Sequence, residues 1–167
     1  MSNKRDPSSS RRGFPRIELK PMVVRSAEDF DWSRILGASQ AEGHRMIGRL
    51  LTDLEAGANR FNSPGETLLA HVVDGTVVAA CGLNREQATD FGRAGRVRRL
   101  YVIPARRREG LANSLVGAIA AFARGYYDVL TVRAGSPAAG SFFEHAGFQA
   151  VSHPNITHIR RLKHTTG

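Results

Sequence analysis

The chain predicts an α/β fold: one central mixed sheet, mostly antiparallel, with one parallel β-α-β crossover and helices on both faces. Two observations carry this prediction. Strand-like runs at residues 67–73 and 76–83 are separated only by Asp74-Gly75, a pair suited to the positive-φ positions of a tight hairpin turn, so they are antiparallel. A second strand-like run, 96–103, is followed by a long apolar-faced segment from near Glu109 and then by another run at 129–133. Strand, helix, strand at that length implies a right-handed parallel crossover.

The elements follow in order. Residues 22–25 read as a short strand, and Ser26-Ala27-Glu28-Asp29 resembles a capping box opening a short helix that stops by Gly37. Ser39-Gln40-Ala41-Glu42 then opens a second helix, whose Ile47, Leu50, Leu51 and Leu54 share one face and whose natural stop is Gly57. A loop with Pro64 and Gly65 leads to the hairpin, and a loop over 84–95 leads to the strand at 96–103. Leu111, Leu115, Ile119 and Phe122 line the inner face of the crossover helix. Ser136-Pro137 caps and starts a further helix, Gly147 ends it, and two last strands begin near Phe148 and Thr157.

With 167 residues, 41% of them hydrophobic, the chain suffices for one domain over 21–167 with a sizeable core, preceded by a polar, Ser-rich and basic tail over 1–20 that is expected to be disordered. No apolar stretch reaches the roughly 20 residues of a bilayer span, and the N-terminus has no hydrophobic signal core, so the expectation is a cytoplasmic protein without a membrane partner. Cys81 is the single cysteine, which excludes internal disulfides and cysteine metal clusters; it sits in an apolar run and reads as a buried, inert thiol. No metal site is expected.

The net charge of +9 invites a nucleic-acid reading, but its placement suggests a narrower one. Seven arginines lie between Arg93 and Arg108, beside the junction Arg107-Arg108-Glu109-Gly110-Leu111-Ala112 that joins a strand to a helix. The first amides of a helix have no partner within it and point outward together, and the helix dipole adds positive charge at the same end. Gly110 and Ala112 remove bulk there, so this junction can hold a phosphate.

Arg/Gln-x-x-Gly-x-Gly/Ala after a strand ending in Val102-Ile103-Pro104 resembles the acyl-CoA loop of the GNAT superfamily of N-acyltransferases. A second segment, Ala139-Gly-Ser-Phe-Phe-Glu-His-Ala-Gly-Phe148, is similar to that family's later Ala-x-x-Phe-Tyr-x-x-x-Gly-Phe, and the likeness extends over about residues 22–162. The resemblance implies the family's fold, with strands that splay beside the crossover to admit a pantetheine arm. It also implies acetyl-CoA as acyl donor, bound by Arg107, Arg108, Glu109, Gly110, Leu111 and Ala112, by backbone of Leu100, Tyr101 and Val102, and by Ser136 and Phe143.

Acyl transfer to an amine needs a held thioester, an unprotonated amine and donors for the developing oxyanion. Backbone amides near Tyr101 and Val102 are the expected donors. For the base, Glu42, Glu66, His71, Glu86 and His158 are available. His158, on the last strand, is the first choice because imidazole titrates near neutrality, and Tyr101 is the second. Phe143 departs from the family, where a tyrosine often protonates the leaving thiolate, and Ser136 stands where asparagine is common.

The leading expectation is an N-acetyltransferase acting on a primary amine, with its acceptor site formed by the two N-terminal helices and the loop 58–66. Two alternatives belong to other classes: a non-catalytic acyl-CoA-binding regulatory module, suggested by Phe143, and a nucleic-acid-binding protein using the basic tail. Acetyl-CoA and an amine are the expected partners, a nucleic acid is not, and a homodimer stays open.

Overall fold

The computed structural model describes residues 20–87 and 90–164; apart from Lys20, the tail expected over 1–20 lies outside the described residues. The elements are β1 (Met22–Val23), α1 (Ser33–Ala41), α2 (Met46–Ala56), β2 (Thr67–Val73), β3 (Thr76–Arg85), β4 (Ala94–Val102), α3 (Leu111–Ala123), β5 (Val129–Val132), α4 (Pro137–His145), β6 (Gln149–Ala150) and β7 (His158–Arg161). They build one sheet in the order β1-β2-β3-β4-β5-β7-β6, in which β4 and β5 are parallel and the other neighbours antiparallel.

The hairpin turn is made as its sequence demands: Asp74 and Gly75 both take positive φ, 49° and 77°, which matches the twist of the flanking strands. The crossover helix begins at Leu111, two residues later than expected, because Gly110 adopts the left-handed conformation, φ 78°, and caps it. Leu111, Leu115 and Ile119 are buried, whereas Phe122 is only partly so and stacks on Tyr126 with ring centroids 5.2 Å apart.

The N-terminal helices depart from expectation. Ser26 and Asp29 do form a capping box, but it caps only a 3₁₀ turn, Ala27–Asp29. Tertiary pairing ends that turn: the Asp31 amide donates to Gly75 O at 2.8 Å and its carbonyl accepts from Val77 at 2.9 Å, so the chain must run extended against the hairpin. The helix then restarts after Asp31, whose carboxylate accepts the Ser33 amide and hydroxyl at 2.9 and 2.7 Å. It runs through Gly37, since an interior glycine costs only about 1 kcal/mol and Ile35 is fully buried nearby. Ser39 therefore closes this helix, donating its hydroxyl to Leu36 O at 2.9 Å, instead of opening the next. α2 ends as expected at Gly57, φ 74°.

Cross-strand partners share a face of a sheet. His71 pairs with Ala79 and Tyr101 with Ala80, so His71 and Tyr101 lie on opposite faces. α3 covers the first, where Ser114 meets His71 at 3.1 Å, and α1 and α2 cover the second, where Glu42 meets Tyr101 and Asp53 meets Arg99. Cys81 is fully buried and burial pushes its thiol up to about 12, so it is unreactive. No helix of the described residues is long and apolar enough to cross a membrane.

Candidate active site

β4 and β5 stay paired only from Ala94–Val129 to Arg96–Thr131. Beyond Arg96 the two strands part, and a cleft of about 720 Å³ opens between the end of β4, the β5–α4 connection and α4. A β-bulge makes the departure possible: Gly82 opposes Arg98 and Ala80 opposes Tyr101, with Arg99 in the left-handed region at φ 59°.

The direction of each backbone group follows from one hydrogen bond. Ile103 N–H donates to Val78 O at 3.0 Å, so two residues earlier Tyr101 also turns its amide to β3, while Val102 between them points away. Tyr101 is thus not a backbone donor to the cleft, contrary to expectation. Val102 faces the open side, where its carbonyl accepts Arg107 Nε at 3.1 Å, and Leu100, within the bulge, lines the cleft beside it.

Leu100, Tyr101, Val102, Arg107, Ala112, Ser136 and Phe143 line the cleft, whereas Arg108, Glu109, Gly110 and Leu111 lie beyond it in the loop at the start of α3. Leu111 is buried in the core. A Cβ at Gly110 would meet nothing within 4 Å, so the loop surface there is open to a bulky group. Ser136 is committed as the N-cap of α4, accepting the Ala139 amide at 3.1 Å. Phe143 packs edge-on between Phe142 and Phe148, each 5.2 Å away, as part of the core as well as the cleft wall.

The arginines are mostly engaged within the protein. Arg93 pairs with Asp128, Arg96 with Glu86, Arg99 with Asp53 at 3.8 Å, Arg106 with Glu109 and Arg107 with Glu42. Arg98 and Arg108 form no ion pair among the described residues. The cluster is therefore a set of separate contacts around the cleft, not one free phosphate-binding surface.

The expected bases are scattered. Glu42 does not line the cleft but bonds to two residues that do, and hydrogen bonds from Arg107 and then Tyr101 hold its carboxyl down at about 2. Burial, followed by the bond to Glu42, pushes the Tyr101 phenol up to about 12. Glu66 accepts from Asn84 in a separate pocket, His71 sits between sheet and α3 with its titration lowered by burial, and Glu86 is held by Arg96 and Thr131. His158 does not border the cleft: it lies under α4, its ring 2.7 Å from Thr157 Oγ1 and 3.4 Å from Glu144 Oε1.

His44 was not among the sequence candidates, yet it lines the cleft, exposed, with its ring centroid 6.0 Å from that of Tyr101. Gly43, φ 80°, turns the chain after α1 and projects His44 there. Its only signal in the sequence is a Gly-His pair at the helix break.

A second, polar pocket of about 490 Å³ adjoins through Arg98, which lines both. Asn59 and Asn84 exchange side-chain bonds of 2.9 and 3.0 Å in it, and residues 57–63 supply much of its wall. No group of His, Cys, Asp or Glu among the described residues could hold a metal ion.

A sequence model of the acetyltransferase (GNAT) domain matches residues 64–150. Among solved structures, a protein from Exiguobacterium sp. 255-15 assigned to the acetyltransferases is similar at 27% identity and TM-score 0.76, over 85% of this chain and 92% of that one. An acetyltransferase from Streptococcus agalactiae 2603 (13% identity, TM-score 0.67, 86% and 98%) and a GNAT-family acetyltransferase from Staphylococcus aureus Mu50 (17%, 0.63, 86% and 100%) share the fold. No curated protein matches the sequence.

Proposed function

The chain belongs to the GNAT acetyltransferases, and from that premise we propose that it transfers an acetyl group from acetyl-CoA to a primary amine by direct attack. The observation that carries this reading is the cleft between β4 and β5, with an open glycine loop and the N-terminus of α3 at its edge. The pyrophosphate of the donor takes the first amides of α3, where no internal partner competes. The pantetheine arm runs along the end of β4 at Leu100 and Val102, against Ala112 and Phe143.

In the reaction the amine nitrogen bonds to the thioester carbonyl carbon. The C–S bond breaks with its electron pair on sulfur, and the amine's surplus proton passes through water to the thiolate. The Val102 amide is the donor for the developing oxyanion. With Glu42 held anionic by its partners and Tyr101 held neutral, neither exchanges protons easily near neutrality. His44 is the imidazole at the cleft and takes the first proton from the amine, in place of His158. Tyr101 acts through its hydroxyl as the link that ties the cleft wall to Glu42.

Calorimetric titration of acetyl-CoA into the wild type and Gly110→Asp tests the donor site. A Cβ there meets open space, so the variant folds despite a strained φ, and its carboxylate repels phosphate. Wild-type binding that weakens about tenfold or more in the variant is expected; no binding by the wild type would sink the reading. Phe143, which has no hydroxyl to offer the leaving thiolate, favours a second reading, a non-catalytic acyl-CoA-binding module. Donor binding without thiol release across a broad amine panel would decide for it.

A further inference from the structure

We propose that the acceptor is a small primary amine bearing a carboxylate, and that Arg98 receives this carboxylate where the donor cleft meets the polar pocket. This deepens the acetyltransferase reading and rests on it. Four arginines other than Arg98 line the cleft, and each is accounted for. Arg96 is 2.8 Å from Glu86 and also donates to Asn155 O at 2.6 Å, Arg107 is clamped to Glu42, Arg99 has Asp53, and Arg133 is exposed to solvent. That leaves Arg98.

Arg98 is half-buried, has no carboxylate within ion-pair distance among the described residues, and makes one long bond, 3.5 Å, to an Asn84 oxygen that Asn59 already occupies. Its neighbour Arg99 is also half-buried, and its one carboxylate partner stands 3.8 Å away. Burial and the adjacent Arg98 charge lower the Arg99 titration, so the two guanidinium groups disfavour each other in this setting. Two adjacent cations with so little compensation are costly to hold, and an incoming carboxylate offsets that cost. The planar guanidinium matches a carboxylate with two parallel bonds, which fixes the acceptor's orientation as well as its charge.

The rest of the pocket suits such a molecule. Glu66, held by Asn84, lines the same pocket as Arg98, with Asn59 and Asn84 beside it, so polar groups on the acceptor's side chain find partners there. The volume of about 490 Å³ has room for a free amino acid. A polyamine would bring only positive charge to the Arg98–Arg99 pair, and is rejected.

The test uses the full chain, acetyl-CoA, and the twenty amino acids each beside its carboxamide, with thiol release as the readout. An amide is the less basic amine and has more free base near neutrality, so a preference for the acid does not arise from nucleophile supply. At least one acid is expected to exceed its amide in kcat/KM by about tenfold to a hundredfold, the worth of bonds to a charged group. Arg98→Gln removes that preference, chiefly through KM of the acid, while acetyl-CoA affinity measured by calorimetry is kept.

Acids and amides turned over alike by the wild type, or no acid turned over although acetyl-CoA binds, overturns the proposal and leaves the family reading standing. An Arg98→Gln protein that loses acetyl-CoA affinity and keeps the acid preference assigns Arg98 to the donor, which also overturns it. Failure of the wild type to bind acetyl-CoA defeats the underlying reading as well.

Discussion

Arg107, a cleft-lining residue in the loop that precedes α3, binds both carboxylate oxygens of Glu42, with Nη1 3.0 Å from Oε2, and its guanidinium carbon lies 5.6 Å from the centre of the Tyr101 ring. This contact joins the end of the first helical layer to the loop before α3, two segments with no pairing through the sheet. It makes Glu42 a strut between the two sides.

The strut has a pH signature. The Glu42 carboxyl is lowered from 4.5 to about 2, so its stabilisation is complete above the ordinary carboxyl value and is lost as pH falls from about 4.5 toward 2. Glu42→Gln is expected to melt below wild type at pH 7, with the gap narrowing as pH is lowered from about 4.5 toward 2. Asp31 and Asp128 are lowered too, by Ser33 and by Arg93, so the variant retains some acid sensitivity. Melting midpoints of both proteins across this range check it, and a gap independent of pH would contradict the pairing.

The same substitution moves a tyrosine. Burial is the first cause of the raised Tyr101 ionisation and Glu42 the second, so Glu42→Gln should bring it down only part of the way from about 12 toward 10. Alkaline difference titration of phenolate absorbance, variant against wild type, should show one tyrosine ionising earlier.

His44→Asn should lower kcat by about 10²–10⁴, the usual worth of a positioned base, with acetyl-CoA affinity unchanged. Added imidazole should restore part of the rate. His158→Asn serves as the comparison, because that ring sits under α4 away from the cleft; a larger kcat loss there than at His44 would reverse the assignment.

Phe143→Tyr restores a hydroxyl at a position on the cleft wall. If protonation of the leaving thiolate limits turnover, kcat should rise, by at most about 10²-fold. Pre-steady-state measurement of thiol release separates this from a change in acceptor binding.

Packing beneath the cleft is tight where β4 still pairs with β5. A Cβ at Gly95 would stand 2.6 Å from Tyr127 Cδ2 and 2.9 Å from Leu83 Cδ1, while the Tyr127 hydroxyl donates to Gly65 O at 2.9 Å and cannot retreat freely. Gly95→Ala is expected to cost about 1–3 kcal/mol in urea unfolding, as overpacking does. A neutral result would mean that the ring has room to move.

Features written in short windows were legible in the sequence. The Asp74-Gly75 turn, the Gly57 stop, the Ser136-Pro137 start and the crossover helix each depend on backbone chemistry within a few residues, and all four formed. The early helices depart from their local pattern because Asp31 bonds to Gly75 and Val77, forty-odd residues away, and that pairing overrides a well-formed capping box.

The site divides along the same line. The junction that opens α3 and the strand that precedes it follow from sequence by itself, since unpaired amides and a left-handed glycine are consequences of where a helix starts. Which arginines are already spent, which way Tyr101 and Val102 point, and that His44 rather than His158 meets the cleft were decided by tertiary structure. Charge pairing and strand splay join residues distant in sequence, so no local pattern records them; Glu42 and Arg107 find each other only once helix, sheet and loop have packed.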